Sequence, residues 1–130
     1  MGAGYLACSF DLLNVRDLDL IRQASAQCSR LTVGVYSDEF AEAVTGRPPI
    51  VPFAERAELV SFVRGVAEVV AHDSDRAFLG PKTVLFEVSG RASALRAGRI
   101  VELVAARESA SAVLQKVLPS IRGAADAAVA

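Results

Sequence analysis

The chain has no tryptophan, one methionine, one histidine and two cysteines in 130 residues. Cys8 and Cys28 stand in no C-x-x-C spacing, and a single histidine cannot complete their set, which argues against a structural zinc site. Cys8 falls on a predicted strand and Cys28 at a predicted helix end. Both read as free, small apolar residues, the usage expected of a protein kept in a reducing cytoplasm. No apolar run reaches the roughly 18 residues of a membrane span. Met1-Gly2-Ala3-Gly4-Tyr5 lacks the basic start of a secretory signal. A basic excess is missing too. The net charge of −1 gives no electrostatic footprint for nucleic acid or an anionic membrane.

What the chain does have is apolar residues, 52% of the total against 22% charged, enough for one packed core. Its length sets the expectation of a single domain over residues 1–130, with 120–130 as a frayed tail. Gly4 to Phe10, Leu31 to Tyr36, Ala67 to Ala71 and Thr83 to Val88 are mostly apolar runs, as expected of strands buried on both faces. Helical patterns lie between them. Leu18, Ile21, Ala24 and Cys28 share one face of the first. Leu59, Phe62, Val63 and Val66 repeat at helical spacing in one that starts near Phe53. A last helix is expected from about Ser93 to Leu118, bent near Gly98 and stopped by Pro119. Gly46-Arg47-Pro48-Pro49-Ile50-Val51-Pro52 breaks the pattern as a loop. Alternating strands and helices imply βαβ units and a parallel sheet. The expected fold class is α/β, a Rossmann-like three-layer α/β/α sandwich with about four to five parallel strands.

The first strand ends in Ser9-Phe10-Asp11-Leu12-Leu13, followed by Asn14-Val15-Arg16-Asp17 and a helix. In such a sheet this turn lies at the carboxyl end of a strand and the amino end of a helix, where phosphates bind. Ser9-Phe10-Asp11 resembles the Thr-Phe-Asp element of the nucleotidylyltransferase superfamily, specifically its small cytidylyltransferase-like members of the glycerol-3-phosphate cytidylyltransferase type. Asn14-Val15-Arg16-Asp17 stands where that family has His-x-Gly-His, with all three defining positions changed. The resemblance continues through Leu31 to Phe40, whose Ser37-Asp38-Glu39 is similar to the family's second-strand turn. It extends through Pro52-Phe53-Ala54-Glu55-Arg56 and Val63-Arg64-Gly65-Val66-Ala67-Glu68-Val69-Val70, covering roughly residues 4–71. Ser89-Gly90-Arg91-Ala92-Ser93-Ala94 is similar to a worn copy of the Arg-Thr/Ser motif that opens the family's last helix. Only a short loop, His72 to Lys82, separates the third strand from Thr83. Either one βα unit is lost or that loop is its remnant.

The resemblance implies transfer of CMP from CTP, or of the equivalent group from another nucleoside triphosphate, to a small phosphorylated alcohol. Pyrophosphate leaves, with Mg²⁺ as the cofactor. Such a reaction asks the protein to hold two anions together and neutralise growing charge. The degenerate motif positions Asn14 and Asp17 are the candidate catalytic residues. Ser9, Phe10, Asp11, Arg16, Arg47, Arg56, Arg64, Arg91 and Ser93 are the candidate nucleotide-binding residues. Each has a plainer reading. Asn14 is a turn residue or a phosphate donor. Arg16 fills the phosphate space or supplies the missing positive charge. Asp17 is a helix N-cap, or a carboxylate that repels triphosphate unless Mg²⁺ bridges them. Asp11 holds its loop or a substrate hydroxyl. Arg56 and Arg64 bind phosphate, lie at a dimer contact or are solvated. Arg47 is a triphosphate contact or an ordinary loop residue. His72 ends the third strand, with Asp73 and Asp75 beside it as structural residues or weak Mg²⁺ contacts. No dedicated metal site in the protein is predicted.

Two functions stand against each other. One is an active cytidylyltransferase-like enzyme. The other is a family member that keeps the fold and binds a nucleotide or a protein without catalysis. A phospho-receiver fits poorly, because Asp11 lacks a paired acid and no lysine lies between Val88 and Lys116. A homodimer through the segment from Arg56 to Arg64 is implied by the resemblance alone.

Overall fold

The structure, a computed structural model, describes residues 2–75, 79–91 and 93–110. Five strands, β1 (Ala3–Cys8), β2 (Arg30–Tyr36), β3 (Glu68–His72), β4 (Val84–Val88) and β5 (Arg99–Leu103), form one sheet in the order β3-β2-β1-β4-β5. Every pairing is parallel. The helices are α1 (Val15–Ser25), α2 (Asp38–Thr45) and α3 (Phe53–Ser61). The Rossmann-like parallel α/β fold read from the alternating pattern is therefore present, with five strands.

Register sorts the side chains. Leu6 pairs with Val33 and Phe86, Val33 with Val69, and Phe86 with Val101, so these share one face. That face meets Leu20, Ile21 and Ala24 of α1 and Val60 of α3 in the main core. Burying a full Leu, Ile or Phe side chain stabilises by roughly 1.5–3 kcal/mol, which explains why these helices bury their apolar stripes here. The other face carries Tyr5, Ala7, Thr32, Gly34, Tyr36, Val70, His72, Leu85 and Glu87. Among the described residues its carboxyl corner is covered by α2 and by the β4–β5 connection, with Val44 and Leu95 facing Leu85 and Glu87 around one cavity.

Several boundaries differ from the sequence reading, each for a local reason. The first helix begins at Val15, three residues early, because Asn14 caps it. Helix α3 stops at Ser61, and Arg64 lies beyond it. The helix expected from Ser93 is absent over its first part. Residues 99–103 are instead strand β5, paired along its length with β4. Its apolar Ile100, Val101 and Leu103 read equally well as strand, and the neighbouring alanines favoured helix only by propensity. The later part of that helix and the frayed tail lie outside the described residues.

A glycine decides what crosses the second face. A Cβ on Gly34 would sit 2.1 Å from Tyr5 Oη. Its absence lets Tyr5 reach from β1 across β2 to His72 on β3, at 2.6 Å from Nδ1. Replacing Gly34→Ala is expected to break this contact and to cost about 1–3 kcal/mol through overpacking. Chemical denaturation checks the loss, and adding Tyr5→Phe to the alanine variant should change stability by less than it does in the native chain.

Candidate active site

The chain leaves β1 on both sides, through β2 and β3 one way and through β4 and β5 the other. The carboxyl ends of β1 and β4 therefore flank the switch point where open α/β sheets bind ligands. The loop after β1 is held in an unusual shape there. Phe10 and Leu12, both non-glycine, take φ values of 53° and 55°. Such left-handed conformations cost on the order of 1–3 kcal/mol each and persist only where the surroundings enforce them. Two anchors do so. Phe10 is buried in the main core. Asp11, between the two strained residues, accepts hydrogen bonds from the backbone N–H of Ile50 at 2.8 Å and of Val51 at 2.9 Å. Of its two expected roles, Asp11 performs the structural one, tying residues 46–52 to the end of β1.

Helix α1 opens immediately after this loop. Asn14 is its N-cap, accepting from Arg16 N at 2.9 Å and Asp17 N at 3.4 Å. Asp17 returns the bond, its Oδ2 accepting from Asn14 N at 3.3 Å. This is a reciprocal capping box. Asp17 is thus the third helical residue rather than the N-cap. A carboxylate occupies the place where a phosphate would meet the helix dipole. Burial pushes the Asp17 carboxyl up to about 6, opposed by its hydrogen bond from Asn14 and by the Arg16 charge.

The charges of Arg91, Asp17 and Arg16 all reach the Cys8 thiol at the end of β1. Burial, the largest influence, raises Cys8 to about 11, leaving it a neutral thiol and no nucleophile. Arg91 follows β4 and lies 4.7 Å above the Tyr36 ring. Tyr36 stacks on His72 with 5.3 Å between centroids, and His72 Nε2 meets Asp75 Oδ1 at 2.5 Å. His72, read in the sequence as a strand-end histidine with a structural or a functional role, is 3% exposed and bonded on both ring nitrogens. A cavity of about 260 Å³ opens here, lined by Tyr36, Asp75, Glu87, Arg91 and Ser93 among others.

The other candidates scatter. Arg56 is 1% exposed and donates to Val51 O, Ser9 O, Tyr36 O and Asp38 Oδ1. It braces the carboxyl edge from within, and Ser9 contributes its carbonyl to that brace. Arg47 is exposed in the loop that Asp11 anchors. Arg64 lies beyond the far end of α3, just before β3 begins, so this chain does not bring it to the carboxyl edge. Ser93 binds the Glu87 carboxylate through both its N–H and its hydroxyl.

Because β5 follows Ser89–Ala94, that segment does not open the last helix. It belongs to the β4–β5 connection, and Arg91 and Ser93 act from there. The residues after the last strand are Val104 to Ser109, and the chain turns helical at Ala110. The sequence reading also missed Asp19. Its buried carboxylate accepts from Arg22, Gln23 and the Ala106 N–H, fastening α1 to the segment after β5. Those bonds, that of Ala106 first, hold the Asp19 carboxyl below the usual carboxylate pKa range despite burial. The one signal was an acid inside the apolar run Leu18-Asp19-Leu20-Ile21. Among the described residues no three His, Cys, Asp or Glu side chains gather to hold a metal ion.

Asp17 gives this site a testable acidity. Its folded value of about 6 exceeds the ordinary 3.8. Protonation therefore favours the folded state. That stabilisation is full below pH 4, fades as pH rises, and is gone above pH 6, amounting to about 3 kcal/mol. The lowered Asp19 acts in the opposite sense and below that window. Carbon-13 NMR of the carboxyls should find Asp17 titrating near 6, and Asp17→Asn should flatten the fall in unfolding free energy between pH 4 and 6.

No family model matches the chain. Over 67 residues, 52% of its length, it is 39% identical to an ethanolamine-phosphate cytidylyltransferase of Arabidopsis thaliana, of which this covers 16%. Over 61 residues, 47% of its length, it is 38% identical to an FAD synthase of Pyrococcus abyssi, of which this covers 41%. The chain thus spans less than half of either relative. In three dimensions it is similar to the crystal structure of a lipopolysaccharide core biosynthesis protein from Thermoplasma volcanium. The TM-score is 0.67 at 16% identity, covering 79% of this chain and 96% of that one; at that identity the likeness speaks for the fold. No helix among the described residues is long and apolar enough to cross a membrane. Over about half of its length the chain is thus similar in sequence to cytidylyltransferase-like nucleotidyltransferases.

Proposed function

We propose that this chain transfers CMP from CTP to a small phosphorylated alcohol, releasing pyrophosphate. The observation that carries the reading is the switch-point crevice at the ends of β1 and β4, where the strained Phe10–Leu12 loop leads into the start of α1 and the charges of Arg16 and Arg91 reach the end of β1. Arg16 and Arg91 replace with permanent charge what the family's motif histidines supply. Positioning and charge neutralisation then do the work, with no covalent step on the protein. Mg²⁺ enters on the triphosphate. It needs only one or two protein carboxylates beside phosphate oxygens, and Asp17 is the carboxylate at hand. Bound there, the ion would turn the repulsion between Asp17 and the triphosphate into a bridge.

A second reading rests on a specific observation. The capping box already fills the first N–H groups of α1, so the fold could persist with nucleotide or protein binding and no turnover. A pyrophosphate-release assay with CTP, Mg²⁺ and a panel of phosphorylated alcohols separates the two. The first reading expects release above a heat-killed control, with Arg16→Ala lowering kcat/KM by about 10²-fold or more, the loss typical of one removed transition-state donor. Nucleotide binding without release for any acceptor would favour the second. A homodimer and a cytoplasmic setting remain part of the proposal. Phe62 is 84% and Leu59 48% exposed on and just past α3, which is the surface a second copy would cover.

A further inference from the structure

A row of rings crosses the second face of the sheet and ends at Arg91. Tyr5 on β1 reaches past Gly34 to His72 Nδ1 on β3, at 2.6 Å. The His72 ring stacks against Tyr36 at the end of β2, with 5.3 Å between centroids and 27° between planes. Phe40, in the first turn of α2, closes on Tyr36 edge-on at 4.6 Å. Tyr36 is 4% exposed, so packing fixes its ring. The Arg91 guanidinium carbon lies 4.7 Å from the centre of that ring. The Arg91 backbone is fixed as well. Val88 to Arg91 form a tight turn, with Gly90 at φ 82° and the Arg91 N–H donating to Val88 O at 3.0 Å.

The side chain is held in an uncommon way. Arg91 Nη2 is buried and has no hydrogen-bond partner among the described residues. No salt bridge joins Arg91 to a described carboxylate. A buried donor without an acceptor is unfavourable. Here the negative face of an aromatic ring offsets it. The difference matters chemically. A carboxylate partner would hold the cation and cancel its charge. A ring holds the cation and leaves its charge to act at a distance. Of the charges that reach the Cys8 thiol at the end of β1, that of Arg91 acts most strongly. We propose that Tyr36 is the positioning residue for Arg91: its ring is the platform that aims an unneutralised guanidinium at the phosphates of a bound nucleotide. This rests on the nucleotide-site reading above. Tyr36 acts through Arg91 and moves no proton, so its hydroxyl is dispensable for the role. Burial raises that phenol to about 12, which keeps it neutral. His72 and Tyr5 act one step further back, by fixing the plane of the platform.

Calorimetric titration of the full chain and its variants with CTP and Mg²⁺ tests the assignment. Tyr36→Phe keeps the platform and should bind within about twofold of the native chain. Tyr36→Leu removes the ring and should weaken binding about tenfold, the scale of a desolvated cation–π contact. Arg91→Gln should weaken binding at least as much. Adding Tyr36→Leu to Arg91→Gln should change it no further, a coupling that a general packing defect would not produce. Should Tyr36→Leu fail to fold, Arg91→Gln and arginine side-chain NMR carry the test. The ring current should hold the Arg91 side-chain protons upfield of those of exposed arginines, in the native chain and in Tyr36→Phe alike. Additive losses in the double variant, equal losses in Tyr36→Phe and Tyr36→Leu, or Arg91 protons at ordinary positions overturn the proposal. CTP binding that Tyr36→Leu leaves intact keeps the nucleotide site and removes the role of Tyr36. A native chain that binds no CTP removes the nucleotide site and this role with it.

Discussion

The carboxyl edge of this sheet is built around one buried guanidinium. Arg56 reaches inward from α3 and ties the end of β1 through Ser9 O, the end of β2 through Tyr36 O, the second loop through Val51 O and the start of α2 through Asp38. Desolvating a charge costs several kcal/mol unless its donors are met in good geometry. Here Nε, Nη1 and Nη2 all have partners, and the Phe53 ring lies 5.9 Å from the guanidinium carbon. With that brace in place, Asp11 can hold the Ile50–Val51 backbone, and the strained turn from Phe10 to Leu12 becomes sustainable. The site rests on this edge, so a structural arginine is a precondition of whatever chemistry occurs there.

Around that brace the local electrostatics differs from the pattern the sequence resembles. Where that pattern has two histidines and a glycine, this chain has Asn14, Asp17 and Arg16. Asparagine makes a better N-cap than histidine, and an acid three residues on closes the capping box. The result stabilises α1 and crowds its positive end with an internal carboxylate. Positive charge is restored from the flanks, by Arg16 on the helix and Arg91 on the β4–β5 connection. On the proposed reading, Mg²⁺ and these arginines have to outweigh Asp17, whose carboxyl burial raises to about 6.

Much of the fold was legible from periodicity. Leu31 to Tyr36 and Thr83 to Val88 are apolar enough to read as central strands, and they are β2 and β4 to within a residue. The likeness around Ser9-Phe10-Asp11 and Ser37-Asp38-Glu39 pointed to the end of β1, where the structure has the left-handed turn at Phe10 and Leu12. What failed did so for physical reasons. Strand β5 was hidden because Arg99, Glu102 and the alanines around it favour helix locally, and only pairing with β4 makes residues 99–103 extended. That error displaced the expected last-helix motif onto Arg91 and Ser93. The burial of Arg56 could not be read either, since its partners are mostly backbone carbonyls that leave no mark on residue type. The same holds for the Tyr5–His72 contact, which depends on Gly34 lying between them in space and 29 residues from Tyr5 in sequence.

The central claim is that the end of β1 and the start of α1 receive a nucleoside triphosphate. Amide NMR of the labelled chain, titrated with CTP in the presence of Mg²⁺, tests it most directly. The account predicts saturable shifts centred on Asn14, Arg16, Asp17 and the residues around Arg91, with little change at Arg64 on the opposite edge. Shifts absent from that cluster at saturating nucleotide, or centred elsewhere, would contradict it.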